Sequence, residues 1–221
     1  MEIRNLEPAD LAAVAEVERI AWGDGAASPD TIKTRADVFP DGSIVAVEDD
    51  RIVGYAAAQL TAQISTKSWA EQTDHGEIRG SHVPGGRLAY GVSMSALPGI
   101  SGEGVARYVI GHYTDIFLGT GRCSALCLGS RLPGFSRWSA RDENSGDLGE
   151  YVLPTPDGRV RDPELRLYAK NGFNVLWELP EYFPDPASCA HGARIVRTHI
   201  EQRQVAHPQA GFVTKKVRRR D

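Results

Sequence analysis

Two stretches of this 221-residue chain combine residue types that could do chemistry. The first is Ser101-Gly102-Glu103-Gly104-Val105-Ala106. Its two glycines let the backbone come close to a ligand. Val105, Val109, His112 or Tyr113, and Ile116 follow at helical spacing, so the stretch opens an amphipathic helix. A helix start offers unpaired N–H groups and a partial positive charge, which suits a phosphate. No capping box occupies those groups, because the residue three after Ser101 is glycine and not Glu or Gln. The competing reading of the same glycines is a plain tight turn. Other phosphate and nucleophile motifs do not fit. Arg107 stands where a dinucleotide fingerprint needs its third glycine, and neither a Gly-Lys-Ser/Thr ending nor a Gly-x-Ser-x-Gly elbow is present.

The second stretch is Leu167-Tyr168-Ala169-Lys170-Asn171-Gly172-Phe173. A tyrosine phenol, with a pKa of about 10, can donate a proton at neutral pH. The alternative is a ring packed on its helix with the hydroxyl satisfied nearby. Candidates for a matching base are His75, Glu77 and His82 in a polar stretch, Tyr90 on a strand, and Glu103, whose carboxylate would repel phosphates. The sequence does not choose among them. Cys123, Cys127 and Cys189 form no C-x-x-C pair and read as thiols without a metal role.

The elements around these stretches alternate. Ile3–Leu6 reads as a strand, and Leu11, Val14, Val17 and Ala21 mark a helix stripe after Pro8. Ser28-Pro29-Asp30 starts a second helix. Ser43–Val47 and Arg51–Gln59, joined by an acidic turn, read as a hairpin. Residues 60–86 are polar and form a loop or a short extra helix. Arg87–Val92 and Cys123–Leu128 are strands flanking the Gly-rich helix. Asp162-Pro163-Glu164 opens another helix that stops at Asn171-Gly172, and Phe173–Trp177 and Ala193–Arg197 are the last strands. The pattern is a mixed α/β domain with helices before and between strands.

Length and composition bound the classes. A chain of 221 residues with 41% hydrophobic and 24% charged residues reads as one globular domain, residues 1–200, with an insertion at 129–161 packed over the core. A polar, basic tail follows at 201–221 and ends in Lys215-Lys216-Val217-Arg218-Arg219-Arg220. A net charge of -4 and scattered tryptophans argue against a nucleic-acid partner. No apolar run is long enough to span a membrane, and the expected location is cytoplasmic. Tyr182-Phe183, between Pro180 and Pro184, reads as pocket lining, a homodimer contact or plain packing. Arg131, Arg137, Arg141, Asp142, Glu143 and Asp147 crowd the insertion, either as a solvated loop or as a lid over a substrate.

The Gly-rich junction resembles the Q/R-x-x-G-x-G/A loop of the GNAT superfamily of acyl-CoA-dependent N-acyltransferases. Gly104 and Ala106 stand at the two small positions, and Ser101 replaces the usual Gln or Arg. The Tyr168–Phe173 segment is similar to the family's late Tyr-x-x-x-Gly-Phe at a helix-strand boundary. Element order agrees over residues 1–128 and 162–197. The 129–161 insertion and the Pro180–Asp185 stretch more narrowly resemble GNAT-like domains found beside nitrilase-like amidohydrolases. The resemblance implies a largely antiparallel central sheet flanked by helices, with two splayed central strands. It implies acetyl-CoA or another acyl-CoA as co-substrate, held by Val92, Ser93 and Met94 on the strand, by Ser101, Gly102, Glu103, Gly104, Val105 and Ala106 at the helix start, and by Asn171. It implies Tyr168 as the acid that protonates the departing thiol, and a small-molecule primary amine as acceptor. A protein N-terminus or lysine as acceptor, and a non-catalytic acyl-CoA-binding module, are the alternatives.

Overall fold

A computed structural model describes residues 1–99, 102–141, 144 and 146–198, with the side chain of Glu103 outside the description. Ser101, Asp142, Glu143 and the tail at 201–221 also lie outside the described residues.

The chain opens with strand β1 (Glu2–Asn5) and helix α1 (Leu11–Trp22), entered through a short 3-10 turn at Pro8–Asp10. Arg4 and Asp10 clasp that entry in a bidentate pair at 2.6 and 2.9 Å. Helix α2 (Pro29–Val38) begins as its sequence dictates, with Ser28 accepting from the Thr31 N–H and proline in the first turn. Strands β2 (Ser43–Glu48) and β3 (Arg51–Thr61) form a hairpin. Its two turn residues, Asp49 and Asp50, have φ of 50° and 57°, the left-handed geometry that matches strand twist and that aspartate tolerates.

Residues 60–86 hold one short helix, α3 (Trp69–Thr73), fixed by a reciprocal capping box between Ser68 and Glu71. Strand β4 (Leu88–Ala96) runs four residues past its expected end at Val92. Helix α4 (Gly102–Tyr113) follows and is extended by a π-type turn at Thr114–Gly119. Strand β5 (Ala125–Arg131) is succeeded by α5 (Phe135–Ser139) and α6 (Leu148–Val152), both within the stretch read as an insertion. Phe135, Trp138 and Tyr151 pack on one another there. Helix α7 (Pro163–Lys170) is capped by Asp162, whose Oδ1 accepts from the N–H groups of Glu164 and Leu165. Strands β6 (Asn174–Leu179) and β7 (Gly192–Thr198) close the chain.

The seven strands form one sheet in the order β1-β2-β3-β4-β5-β7-β6. All neighbours are antiparallel except β4 and β5, which are parallel. That pair meets only at Leu88–Tyr90 against Ala125–Cys127, while β4 continues to Ala96 and β5 to Arg131. The sheet therefore splits at its centre, as the resemblance implies. On its other side β4 pairs with β3 through a bulge. Ala57 faces Ser93 and Ala58 faces Gly91, which leaves Val92 as the extra residue. A bulge bends its strand and re-aims the local backbone.

Candidate functional site

A cavity of about 330 Å³ fills the split. β4 lines one wall from Gly91 to Ala96 and β5 the other from Leu126 to Gly129. Val105, Ala106 and Val109 of α4 close one side, and Glu164, Leu167 and Tyr168 of α7 another. Trp22, Trp69, Tyr182 and Phe183 form an aromatic rim. Phe183 meets both indoles edge-on, at ring-centre distances of 6.1 Å from Trp22 and 5.4 Å from Trp69.

Most of this lining is apolar, so its few polar groups stand out. Glu164 sits in the first turn of α7, with its carboxylate 3.6 Å from the Arg131 guanidinium. Burial pushes the Glu164 carboxyl up to about 7, against the opposing pull of Arg131. Arg131 itself lies over the Trp22 ring at 4.6 Å. Tyr168 is four residues after Glu164, hence on the same face of the helix. Burial, with a further push from Glu164, holds its phenol well above its ordinary range, so it stays protonated at neutral pH. Its hydroxyl makes no hydrogen bond to a described residue, and its ring packs edge-on against Phe173 at 5.5 Å.

The serine side chains of β4 are committed elsewhere. Buried Glu18 of α1 accepts from Ser93 at 3.0 Å, from Ser95, and from the Ala27 N–H at 3.2 Å. The Trp22 indole N–H donates to Ser95 at 2.8 Å, and that of Trp69 donates to the Val92 carbonyl at 2.9 Å. The polar groups that β4 offers the cavity are therefore chiefly backbone.

The structure brings Val92, Ser93, Met94, Val105, Ala106 and Tyr168 to one cavity and sets Gly102, Glu103 and Gly104 in the first turn of α4. Asn171 is set apart. Its amide donates to the Leu167 carbonyl at 2.8 Å, and its own carbonyl accepts from Arg197 at 3.0 Å. It lies in a separate shallow depression with Arg107, Gly111, Lys170, Gly172 and Arg197. None of the candidate bases in the polar stretch reaches the cavity. His82 accepts from the Leu60 N–H at 3.2 Å and packs on Phe39, while His75 and Glu77 lie in the turn after α3.

Glu164 was not among the sequence candidates. Its one sequence signal is the helical spacing to Tyr168, which carries no information about burial. Among the insertion's charges, Arg131 faces the cavity, whereas Arg137, Arg141 and Asp147 are exposed. Cys123 and Cys127 are buried, and desolvation pushes the Cys127 thiol up to about 12, leaving it inert. Among the described residues, no group of three or more His, Cys, Asp and Glu is arranged to hold a metal ion, and no helix is long and apolar enough to cross a membrane.

No family model matches the chain. It is 25% identical over 168 residues to YkwB of Bacillus subtilis, an uncharacterized N-acetyltransferase, covering 75% of this chain and 72% of that one. It is 23% identical over 189 residues to YhcX, a probable hydrolase of the same organism, covering 84% of this chain but only 36% of that much longer protein. These names do not speak to the expected likeness with nitrilase-linked domains. Among solved structures, the GNAT-like decarboxylase GphF in complex with isobutyryl-CoA superposes with a TM-score of 0.70, at 23% identity over 90% of this chain and 99% of that one. The loading GNATL domain of CurA from Lyngbya majuscula superposes with a TM-score of 0.72, at 18% identity over 89% and 96%. The split sheet, the bulged central strand and these likenesses together give the chain the fold of GNAT-like proteins.

Proposed function

We propose that this protein is an acyl-CoA-dependent N-acyltransferase that moves an acyl group, acetyl by default, to the primary amine of a small molecule. The observation that carries the reading is the parting of β4 from β5 after three residue pairs, beside the first turn of α4. An extended pantetheine arm fits such a gap by hydrogen-bonding to the bulged Val92–Met94 backbone as an added strand. Its pyrophosphate then lies at the N-terminal end of α4, against the backbone from Gly102 to Ala106 and the positive end of the helix dipole. The depression with Arg107, Lys170 and Arg197 is a natural seat for the nucleotide's remaining phosphate, and this is where Asn171 contributes.

In the reaction, the amine nitrogen attacks the thioester carbonyl and a C–N bond forms. A backbone N–H of β4 near Met94 stabilises the oxyanion. Glu164 accepts the proton lost by the amine. The C–S bond then breaks, and Tyr168 protonates the departing thiolate. Glu164, with its carboxyl at about 7, accepts and releases protons readily at neutral pH, and Tyr168 holds its proton there. Tyr168→Phe is expected to lower kcat for thiol release about tenfold while leaving the acyl-CoA Kd within twofold. Equal losses in both would mark the ring as packing only.

The test of the reading has two stages. Acetyl-CoA at about 100 times its Kd adds about 2.7 kcal/mol to the folded state, which in a chain of this size is a Tm rise of roughly 5–10 °C. Pools of amines are then screened for those that accelerate release of free thiol. Protein N-termini and lysine peptides belong in the same screen, since the cavity does not by itself set acceptor size. Coenzyme binding without acceleration by any acceptor marks a binding module instead.

Arg131 favours a second reading. A guanidinium on an apolar cavity wall is suited to a carboxylate on the acyl chain. Such an acyl-CoA would lose its carboxylate as CO2. The electrons of the broken C–C bond enter the thioester enolate, whose carbon takes a proton from the Glu164 carboxylic acid. Carbon dioxide release from malonyl-CoA without an amine supports this route, and release only of thiol, and only with amine, excludes it.

A further inference from the structure

Arg194 is fully buried, yet no carboxylate among the described residues pairs with it. It donates instead to the carbonyls of Ser65 and Lys67 at 3.0 and 3.2 Å and to the Tyr90 hydroxyl at 2.9 Å. Its guanidinium also stands over the rings of Tyr90 and Tyr182, at 5.1 and 5.7 Å. The two phenol oxygens are 3.1 Å apart.

The direction of this chain follows from what each group can do. Arginine only donates, so the Tyr90 oxygen is an acceptor. If the Tyr90 O–H donates to the Tyr182 oxygen, the O–H left to donate is that of Tyr182, which lines the cavity. The opposite order strands an unpaired donor on Tyr90, which is 2% exposed and does not line the cavity. A buried donor without a partner costs about 1–3 kcal/mol. The order Arg194 to Tyr90 to Tyr182 to cavity is thus favoured whenever the cavity holds an acceptor. Burial keeps Tyr182 a neutral phenol, and a buried cation behind it strengthens its donation.

The backbone is shaped to put that ring there. Glu181, at φ 53°, turns the chain back, and the Tyr182 carbonyl accepts from the Trp69 N–H at 2.9 Å. The ring lies across two glycines of adjacent strands. A Cβ on Gly129 would sit 2.3 Å from the Tyr182 hydroxyl, and one on Gly192 would sit 2.6 Å from its ring. Gly129 itself lines the cavity, so the hydroxyl rests against the β5 wall.

We infer that Tyr182 is a second hydrogen-bond donor to the thioester carbonyl of the bound acyl-CoA, with Tyr90 and Arg194 as the residues that position and polarise it. The inference rests on the acyl-CoA reading. In the transferase, Tyr182 faces the oxyanion from the β5 side while backbone N–H of β4 faces it from the other.

The test is infrared difference spectroscopy of full-length protein with carbonyl-labelled acetyl-CoA, no amine added, in wild type, Tyr182→Phe and Tyr90→Phe. Acetyl-CoA must first bind wild type and raise its Tm; failure there removes the acyl-CoA reading and this inference with it. With binding in place, the wild-type carbonyl stretch is expected to lie lowest, with Tyr90→Phe intermediate and Tyr182→Phe highest. Turnover should follow the same order, with kcat down about 100-fold in Tyr182→Phe, in line with loss of one oxyanion donor. An unchanged carbonyl stretch in Tyr182→Phe, with binding intact, overturns the inference and leaves the acyl-CoA reading standing. A drop in Tm with no change in stretch assigns the three side chains to packing alone.

Discussion

Glu164→Gln should lower kcat for amine acylation by about 10²–10³-fold, the range expected for loss of a positioned proton acceptor. In wild type the carboxyl must be ionised to act. Because burial pushes it up to about 7, the rate should climb as pH rises through about 7 and level off above it. The glutamine variant should lack that limb, since its amide cannot titrate.

Stability gives an independent reading of the same group. A carboxyl held above its ordinary value of 4.5 in the folded state favours the protonated form there. Its contribution is complete below about 4.5 and is lost as pH rises through about 7. Glutamine mimics the protonated form at every pH. The Tm of the variant relative to wild type should therefore be higher at pH 8 than at pH 5. A parallel Tm offset at both pH values, with the acid limb of the rate unchanged, would mean that Glu164 serves only to hold Arg131.

The contrast between Glu164 and the sequence-nominated bases marks where local reading stops. Caps and turns were legible because their causes are local. Ser28-Pro29, Asp49-Asp50 and Asp162-Pro163 each fix their own backbone, and each stands where the sequence puts it. The Ser68–Glu71 box is equally local, and it decides between the loop and the short extra helix that the polar stretch allowed. The order of the last strands was not legible. β7 enters between β5 and β6, and that pairing depends on packing between residues far apart in sequence.

The site divides along the same line. Tyr168 and the small residues of α4 announce themselves through motif. His75, Glu77 and His82 were attractive because they precede the central strand, yet distance along the chain says nothing about which wall a loop joins. Arg194 looks like an ordinary charge on a short strand. Only its burial between two phenols, with no carboxylate paired to it among the described residues, gives it a role. Arg131 was visible as one charge in a crowd of mixed sign, and only the pairing with Glu164 and Trp22 separates it from its exposed neighbours.

The second large effect concerns the helix start itself. Gly104→Trp should weaken acyl-CoA binding by more than 100-fold, read as a lost ligand-induced Tm shift and by calorimetry. Position 104 lies in the first turn of α4, at the positive end of the helix dipole. An anion can use that helix end only if nothing stands between the backbone and it. An indole there blocks the approach without removing a single N–H. Helix propensity does not oppose the change, because tryptophan is a better helix former than glycine. The unliganded variant should consequently match or exceed wild-type Tm. That combination, intact fold with lost coenzyme affinity, separates steric blockade of an anion seat from general damage. If instead acetyl-CoA still raised the variant's Tm as it does the wild type's, the pyrophosphate would have to sit elsewhere. The roles given to Tyr168, Glu164 and Tyr182 around a thioester in this cavity would then lose their common anchor.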